Sequence, residues 1–504
     1  MTELFAPNLT RRTFLCAVGT GAMSVFPTVA RLAKGEDPPA GAPAAAPSAA
    51  GISGSAKPNF VIIFTDDQGY QDIGCFGSKK IRTPRLDRMA AEGMRFTSFY
   101  AQTVCGPSRA ALLHGCYPLR VATKNNRVEH HPRVHIKEIN VAKVLKAAGY
   151  ASAAFGKWDN AGHSQTRYEA DLMPTKKGFD YFFGTPESND GFVNLIRNGE
   201  LVEERADMAK LTELYTDEAI GFMRANRDKP FLVYLAHTMP HTKLAASKKF
   251  LGKSARGLYG DVVEEIDFNV GRVLDTVKEL GLDERTYVIF CSDNGPWYKK
   301  GPHGGCSLPL RGAKTSVWEG GLRVPCIMRA PGRIPAGTVC DEVASTMDLL
   351  PTLAKLASAK APTDRVIDGH DISALMHGEK GATSPTKAFY YYQQTHLQAV
   401  RSGKWKLHLA HPTDPNWELA WVSHVDAKDV LSIKKPMLFD LEADIGETTD
   451  VADKHPDVVT RLTALADWAR EDIGDYNRIG KNARFFDSDP KRPDIQARAN
   501  RKGK

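Results

Sequence analysis

The sequence predicts an α/β protein in which a doubly wound, largely parallel sheet is flanked by helices. Short continuous apolar runs are typical of strands buried on both faces, and they occupy residues 60–64, 231–236 and 287–291. Segments with apolar residues at helical spacing, at 211–225 and 259–280, alternate with these runs. Because strands that alternate with helices build parallel sheets, this order predicts the fold class.

The remaining elements of the larger domain follow from the same patterns. They comprise helices at 86–92, 141–148 and 347–356, and strands at 151–155 and 326–328. Each is a short periodic or apolar segment bounded by Gly, Pro or polar residues.

The last part of the chain predicts a smaller C-terminal α+β subdomain, an antiparallel sheet with one packed helix. Its expected strands lie at 390–392, 399–401, 405–407 and 438–441, and an amphipathic helix is expected at 456–470. The aromatic cluster that begins at Tyr390 is interpreted as core rather than as a glycan-binding platform.

Five segments are expected along the chain. They are a twin-arginine-like signal at 1–34, a Pro/Ala-rich linker at 35–57, a catalytic domain at 58–385, the C-terminal subdomain at 386–485 and a basic tail at 486–504. The Arg11-Arg12 pair and the following apolar run predict export to the periplasm or the extracellular space. That run is too short to cross a bilayer, so no transmembrane span is predicted.

The net charge and the cysteine content indicate which binding partners and how many disulfide bonds to expect. The formal net charge of +8 favours polyanionic partners, and no nucleic-acid motif is present. The eight cysteines are too sparse for a disulfide scaffold; they allow a few bridges at most, and no particular bridge is predicted.

Polar groups follow the carboxyl ends of four predicted strands, where open α/β sheets place their ligand sites. These groups are Asp66-Asp67, Lys157, His241 and Asp293-Asn294. The carboxylate and amide oxygens suit a hard divalent cation, provided that the strands supplying them lie close together. The sequence therefore predicts a metal-dependent site at one edge of the sheet.

The stretch Thr103–Gly115 contains Cys105-Gly106-Pro107-Ser108-Arg109, which has the form Cys-x-Pro-Ser-Arg. It resembles the signature of the sulfatase family, arylsulfatase type, within the alkaline-phosphatase-like superfamily. The resemblance implies that a formylglycine-generating enzyme oxidises Cys105 to Cα-formylglycine, whose hydrate supplies the nucleophile. Arg109 lies one turn along if a helix starts at Cys105, so its guanidinium could neutralise the diol or the sulfate.

The resemblance also implies roles for the groups at the strand ends. Asp66, Asp67, Asp293 and Asn294 match the family's metal ligands, with residue 105 completing the shell. The family implies Ca²⁺, and the residue types alone also allow Mg²⁺. Lys157 and Lys314 match the lysines that bind sulfate, and His241 matches the histidine near the leaving-group oxygen.

One position departs from the family pattern. Asp159 stands where the family usually has a histidine that hydrogen-bonds the diol, and His163 follows four residues later. Either Asp159 takes that role, or His163 reaches back to it, or the position serves substrate recognition.

The predicted function is hydrolysis of a sulfate ester on a carbohydrate by the hydrated formylglycine at position 105. A phosphomonoester or phosphonate hydrolase of the same superfamily is one alternative. A non-catalytic protein that binds sulfated glycans through an unmodified cysteine is another.

Overall fold

The computed structural model describes residues 57–124, 131–410 and 433–487. The predicted signal segment, almost all of the linker and most of the basic tail lie outside these ranges. Within them, every helix is too short or too polar to cross a membrane.

The large sheet has eleven strands among the described residues, in the order β10-β2-β9-β8-β1-β7-β3-β4-β5-β6, with β11 beside β2. The strands are β1 Asn59–Thr65, β2 Met94–Tyr100, β3 Ala151–Lys157, β4 Tyr181–Thr185, β5 Leu195–Arg197, β6 Glu200–Glu203, β7 Phe231–Ala236, β8 Thr286–Ser292, β9 Arg323–Arg329, β10 Thr338–Cys340 and β11 Ala344–Ser345. The centre of the sheet is parallel, whereas β9 runs antiparallel to both β2 and β8. The sheet is therefore mixed but mostly parallel, as predicted.

Helices cover both faces of this sheet. The α-helices are α1 Pro84–Ala91, α2 Cys105–His114, α3 Val141–Ala147, α4 Leu211–Ala225, α5 Leu258–Glu279, α6 Glu319–Leu322, α7 Leu349–Leu356, α8 Ser373–Met376 and α9 Pro456–Asp472. Short 3₁₀ helices lie at Gly74–Phe76, Ala170–Leu172, Met208–Lys210, Asp283–Arg285, Tyr298–His303, Thr346–Asp348 and Ala452–Lys454.

The predicted elements agree with the observed ones, although several boundaries differ. α4 and β7 match the predicted ranges to the residue, and the helix predicted at 347–356 begins as the 3₁₀ turn Thr346–Asp348. The sequence patterns do not predict β2, β4–β6, β10 or β11. β2 alternates buried and half-buried residues at its start, so it lacks the continuous apolar run that marks the central strands.

The alternation of side chains along β1 divides the core into two layers. Phe60, Ile62 and Phe64 pack into the cluster on one face of the sheet. Val61 and Ile63 pack into the cluster on the other face. A strand that is covered on both sides has no polar face, which explains the unbroken apolar run in the sequence.

The C-terminal part forms the predicted antiparallel sheet. Its strands are β12 Phe389–Gln393, β13 His396–Ser402, β14 Trp405–His408 and β15 Met437–Asp440, and a short hairpin is made by β16 Gly474–Asp475 and β17 Arg478–Ile479. α9 packs on this sheet through Leu462 and Ala466. Tyr390, Tyr391 and Tyr392 are buried, which confirms that they belong to the core.

A buried network of charges joins the two sheets. Lys406 on β14 lies 3.0 Å from Glu319 Oε1 of α6 and 2.8 Å from Glu447 Oε1, with all three side chains fully buried. His408 Nε2 also lies 2.8 Å from Glu447 Oε1. Removing one member of such a network leaves a buried charge without its partner.

We expect Lys406→Met to lower the free energy of unfolding by about 3–5 kcal/mol, because the buried Glu319 and Glu447 would both lose the ammonium that lies between them. Urea unfolding measures this loss. The matched control is Lys404→Met, two residues away, whose exposed ammonium lies 2.6 Å from Asp440. The urea midpoint of this control should stay unchanged. Equal losses of stability in both variants would contradict the conclusion that the buried network around Lys406 stabilises the fold.

Two glycines with similar positive φ angles, one before β3 and one within it, test the close packing of β3. A Cβ added to Gly149, at φ +85°, would meet open space, whereas a Cβ on Gly156, at φ +88°, would lie 2.0 Å from the Ala236 carbonyl oxygen. Gly149→Ala should cost about 1–2 kcal/mol, the effect of a left-handed residue alone. Gly156→Ala should cost roughly 1–3 kcal/mol more, because β7 must move. Similar urea midpoints for the two variants would refute this.

Candidate active site

Four adjacent strands bring the candidate residues to one edge of the sheet. β8, β1, β7 and β3 are consecutive neighbours and mutually parallel. Their carboxyl ends therefore meet at the same edge, as the predicted site requires. Asp66-Asp67 directly follows β1, Asp293-Asn294 directly follows β8, and Lys157 is the last residue of β3.

Residue 105 is the first residue of α2, and every residue of this helix is buried. Val104 before it is extended, so the chain turns into the helix at the cysteine itself. Burial raises the pKa of the Cys105 thiol to about 12, although Lys157 and Lys314 oppose the shift. A thiol with so high a pKa is protonated at neutral pH and is a poor nucleophile.

Three buried carboxylates surround this position. The backbone N–H of Asp67 donates to Asp293 Oδ1 at 3.1 Å, and Asn294 Nδ2 donates to Asp67 Oδ1 at 2.7 Å. Burial and the adjacent Asp66 carboxylate raise the pKa of Asp293. The cluster thus concentrates more negative charge than an apolar interior tolerates without cations.

Three cationic side chains compensate that charge. Arg109 Nη2 lies 3.3 Å from Asp66 Oδ2 and 2.9 Å from Asp293 Oδ2, at the point one turn along α2 that the sequence predicts. Lys157 Nζ lies 2.6 Å from Asp66 Oδ2, and Lys314 Nζ lies 2.7 Å from Asp67 Oδ1. All of these groups are buried or nearly so.

The oxygen atoms of the cluster fit a divalent cation. Ligand atoms of Asp66, Cys105 and Asp293 lie within 4.8 Å of one another. Asp66 Oδ1 and Asn294 Oδ1 are buried and accept no hydrogen bond from the described residues. These oxygen atoms receive no hydrogen bond within the described part of the chain, and most of the set are carboxylate oxygens. Hard divalent ions prefer oxygen ligands of this kind.

His241 lies beside the cluster with a defined orientation. Its Nδ1 lies 3.1 Å from Ser188 Oγ and 3.1 Å from Asn189 Oδ1, and its Nε2 lies 3.6 Å from Asp67 Oδ2. Since the amide oxygen can only accept, Nδ1 carries a proton and Nε2 faces the carboxylate side. Burial and Lys314 lower the pKa of His241, against the opposing effect of Asp67.

Asp159 and His163 form an ion pair at the same site. His163 Nδ1 lies 2.9 Å from Asp159 Oδ1, so His163 reaches back to Asp159 across one short loop. Asp159 Oδ2 lies 3.7 Å from Lys157 Nζ. The two residues therefore contact each other directly.

A cleft of about 310 Å³ opens over residue 105. Besides Cys105, His163, His241 and Lys314, its walls contain residues that the sequence did not single out: Val104, His131, Glu187, Asp190 and Trp297. Ser188 and Asn189, which orient His241, were also missed. They follow β4, a strand without a continuous apolar run, so no strand-end pattern drew attention to them.

Comparison with known proteins agrees with this geometry. A family model described as Sulfatase matches residues 58–359, and one described as the C-terminal region of aryl-sulfatase matches residues 384–494. N-acetylgalactosamine-6-sulfatase of Canis lupus familiaris is 36% identical, over 83% of this chain and 87% of its own length. Arylsulfatase A of Homo sapiens is 35% identical, over 83% and 88%.

Solved structures agree as well. The crystal structure of PsFucS1 sulfatase from Pseudoalteromonas sp. superposes with a TM-score of 0.72 at 26% identity, covering 82% of this chain and 89% of that one. Both domain models and the relatives at over 30% identity span most of the chain. The chain belongs to the sulfatase family and is an enzyme of the sulfatase class.

Proposed function

We propose that the protein hydrolyses a sulfate ester of a carbohydrate, with the hydrated formylglycine made from Cys105 as its nucleophile. The observation that carries the proposal is the placement of residue 105 at the floor of a cleft, beside three buried carboxylates and three buried cations. A thiol with a pKa raised by burial would do little in that position. A gem-diol there could attack sulfur and later release sulfate from the same carbon.

In this proposal Asp66, Asp67, Asp293, Asn294 and residue 105 hold a divalent cation, Ca²⁺ by family resemblance. When bound, the ion would acidify a hydroxyl of the nucleophile and polarise the sulfate. The oxygen-rich donor set supports Ca²⁺ over softer metals. The same oxygen atoms could also bind Mg²⁺.

The cationic side chains would bind the sulfate and stabilise the charge that moves onto the leaving oxygen. Lys157 and Lys314 approach the cluster from β3 and from the loop before α6, so they can contact different oxygens of one sulfate group. Arg109 is held by two carboxylates and a backbone carbonyl, which fixes its position near residue 105. Its rigidity favours a role in orienting the nucleophile.

His241 is suited to protonating the leaving-group oxygen through Nε2, while Ser188 and Asn189 hold Nδ1. The imidazolium must be present for that step. Because the pKa of His241 lies below its usual value, the protonated fraction falls as pH rises through the acidic range. This supports a preference for mildly acidic conditions with poor leaving groups.

Several groups in the cleft support a sugar sulfate as substrate. Two carboxylates, three imidazoles and the indole of Trp297 are among the residues that line it. Sugar rings present hydroxyls that such groups can bind. The family resemblance also supports export through the twin-arginine-like segment and oxidation of Cys105 by a formylglycine-generating enzyme.

Two other functions remain distinct from this one. A phosphomonoester or phosphonate hydrolase would use a similar cation platform, usually with Ser or Thr as nucleophile. A glycan-binding protein with an unmodified Cys105 would show affinity without turnover. The complete Cys-x-Pro-Ser-Arg motif favours sulfate hydrolysis over both.

We expect Cys105→Ala and Cys105→Ser to abolish turnover of an aryl sulfate and to leave the thermal midpoint nearly unchanged. The buried helix α2 loses or exchanges only one side-chain atom in each variant. Mass spectrometry of the peptide that contains residue 105, after co-expression with the maturing enzyme, should detect an aldehyde. A thiol in active wild-type protein, or faster turnover of aryl phosphate, would refute the proposal.

Removal of the cation gives an independent test. We expect Ca²⁺ to raise the thermal midpoint of chelated wild-type protein, because it binds only the folded state and relieves the repulsion among the carboxylates. Asp293→Asn should abolish most of that rise. Asp72→Asn, which changes a buried carboxylate bonded to Tyr259 instead, is the control and should retain it. An equal Ca²⁺ response in wild type and Asp293→Asn would contradict the ligand assignment.

A further inference from the structure

The two carboxylate oxygens of Asp159 have different surroundings. Oδ1 lies 2.9 Å from His163 Nδ1. Oδ2 is buried and accepts no hydrogen bond from the residues that the structure describes. An ionised carboxylate without a donor is costly to bury, so Oδ2 requires a donor from another source.

Oδ2 lies on the side of the carboxylate that faces Lys157. It lies 3.7 Å from Lys157 Nζ, which itself lies 2.6 Å from Asp66. The charge of Asp159 also acts on the Cys105 side chain, against the effect of Lys157. Lys157 thus interacts with Asp66, residue 105 and Asp159 together. A hydroxyl on residue 105 is therefore the donor that we consider for Oδ2.

The backbone holds Asp159 in this orientation. Its φ is +51°, a left-handed conformation that few residues adopt without a compensating contact. The N–H of Asp159 donates to the Pro186 carbonyl at 3.1 Å, and Trp158 Nε1 donates to the Leu172 carbonyl at 2.9 Å. These bonds fix the two residues that follow Lys157.

His163 carries the complementary charge. Nδ1 faces Asp159, and Nε2 lies 3.3 Å from Asp190 Oδ2 and 3.4 Å from Glu187 Oε2. With carboxylates at both nitrogens, each nitrogen acts as a donor, which is the imidazolium form. Burial opposes that form, but Asp159 and Asp190 raise the pKa of His163 to about 10.

We propose that Asp159 and His163 act together in place of the family's histidine: Asp159 Oδ2 accepts a hydrogen bond from a hydroxyl of the hydrated formylglycine, and His163 positions and neutralises Asp159. The inference rests on the proposed function. Asp159 is then a catalytic residue, since it touches the reacting group. His163 is a positioning residue.

The pairing resolves an electrostatic objection to an aspartate at this position. A lone carboxylate beside the diol would repel an anionic sulfate ester. The Asp159–His163 pair has no net charge of its own, and a neutral histidine has none either. The carboxylate oxygen of the pair is nevertheless a stronger hydrogen-bond acceptor than a neutral ring nitrogen. Within this pair the charge of the aspartate is balanced, and the group that faces the diol changes from a ring nitrogen to a carboxylate oxygen. Glu187 and Asp190 lie at the other nitrogen of His163.

The same residues do not form a second metal site. Ligand atoms of His131, Asp159 and His163 lie close enough for one ion. However, the two imidazole rings are stacked, 3.7 Å apart and inclined by 21°, so one ion could not lie in the planes of both. Both nitrogens of His163 face carboxylates as donors and have no lone pair for a metal.

The test uses Ca²⁺-loaded, formylglycine-containing enzyme and the variants Asp159→Asn, His163→Ala and His163→Asn. Asp159→Asn should lower kcat by roughly 10- to 100-fold with little change in KM, the effect of losing a charge-assisted hydrogen bond. His163→Ala should lower kcat as well, and His163→Asn should recover part of it because its amide can still donate to Asp159. The double variant Asp159→Asn/His163→Ala should be no worse than Asp159→Asn alone.

A second readout does not depend on turnover. An aminooxy reagent reacts with the free aldehyde and not with the hydrate, and mass spectrometry measures its rate of attachment at residue 105. If Asp159 stabilises the hydrate, Asp159→Asn should be labelled about tenfold faster than wild type. The matched control is His135→Ala. His135 lies outside the cleft and forms another His–Asp pair, in which its Nε2 is 3.3 Å from Asp487 Oδ1. It should change neither kcat nor the labelling rate.

The outcomes separate this inference from the proposed function. An inactive wild type that contains the aldehyde would overturn both. An active wild type whose Asp159→Asn variant keeps full kcat and an unchanged labelling rate would overturn this inference alone. If Asp159→Asn does not fold, His163→Ala, whose side chain is 20% exposed, gives the same comparison of kcat and labelling rate.

Discussion

The repulsion among Asp66, Asp67 and Asp293 is the constraint on which the rest of this site depends. Three carboxylates at adjacent strand ends are buried together, and their charge must be balanced within a few ångströms. Arg109, Lys157 and Lys314 are supplied by three different parts of the chain to do so. The fold thus brings distant segments together, and the cluster keeps each of their side chains in one position.

Much of the fold could be predicted because the central strands are covered on both faces. The runs at 60–64 and 287–291 contain no charged residue before their ends, and the residues that follow them are polar. Once those strands are parallel neighbours, Asp66 and Asp293 must meet, since their positions in the β1–β8 register are adjacent. The meeting of these two carboxylates therefore follows from the order of the strands in the sheet.

The rest depends on contacts that no local pattern encodes. β2 pairs with β9 over more than two hundred residues of sequence separation, and its alternating side chains resemble those of a surface strand. Ser188 and Asn189 orient His241 from a loop whose course follows only from tertiary packing. The relation of Asp159 to His163 could be suspected from their spacing of four, but the direction of each oxygen required the backbone geometry at Asp159.

The burial of residue 105 has a consequence for the biosynthesis of the protein. The residue is 6% exposed and begins a helix whose residues are all buried. Ser108, three residues on, is bonded to the carbonyl of Asp293, and 185 residues separate the two. At ordinary elongation rates the ribosome needs roughly 10 to 40 s to make that stretch. If Cys105 is modified as proposed, the modifying enzyme has this interval, before the strand at 286–292 is made, in which the packing of Ser108 against Asp293 has not yet formed.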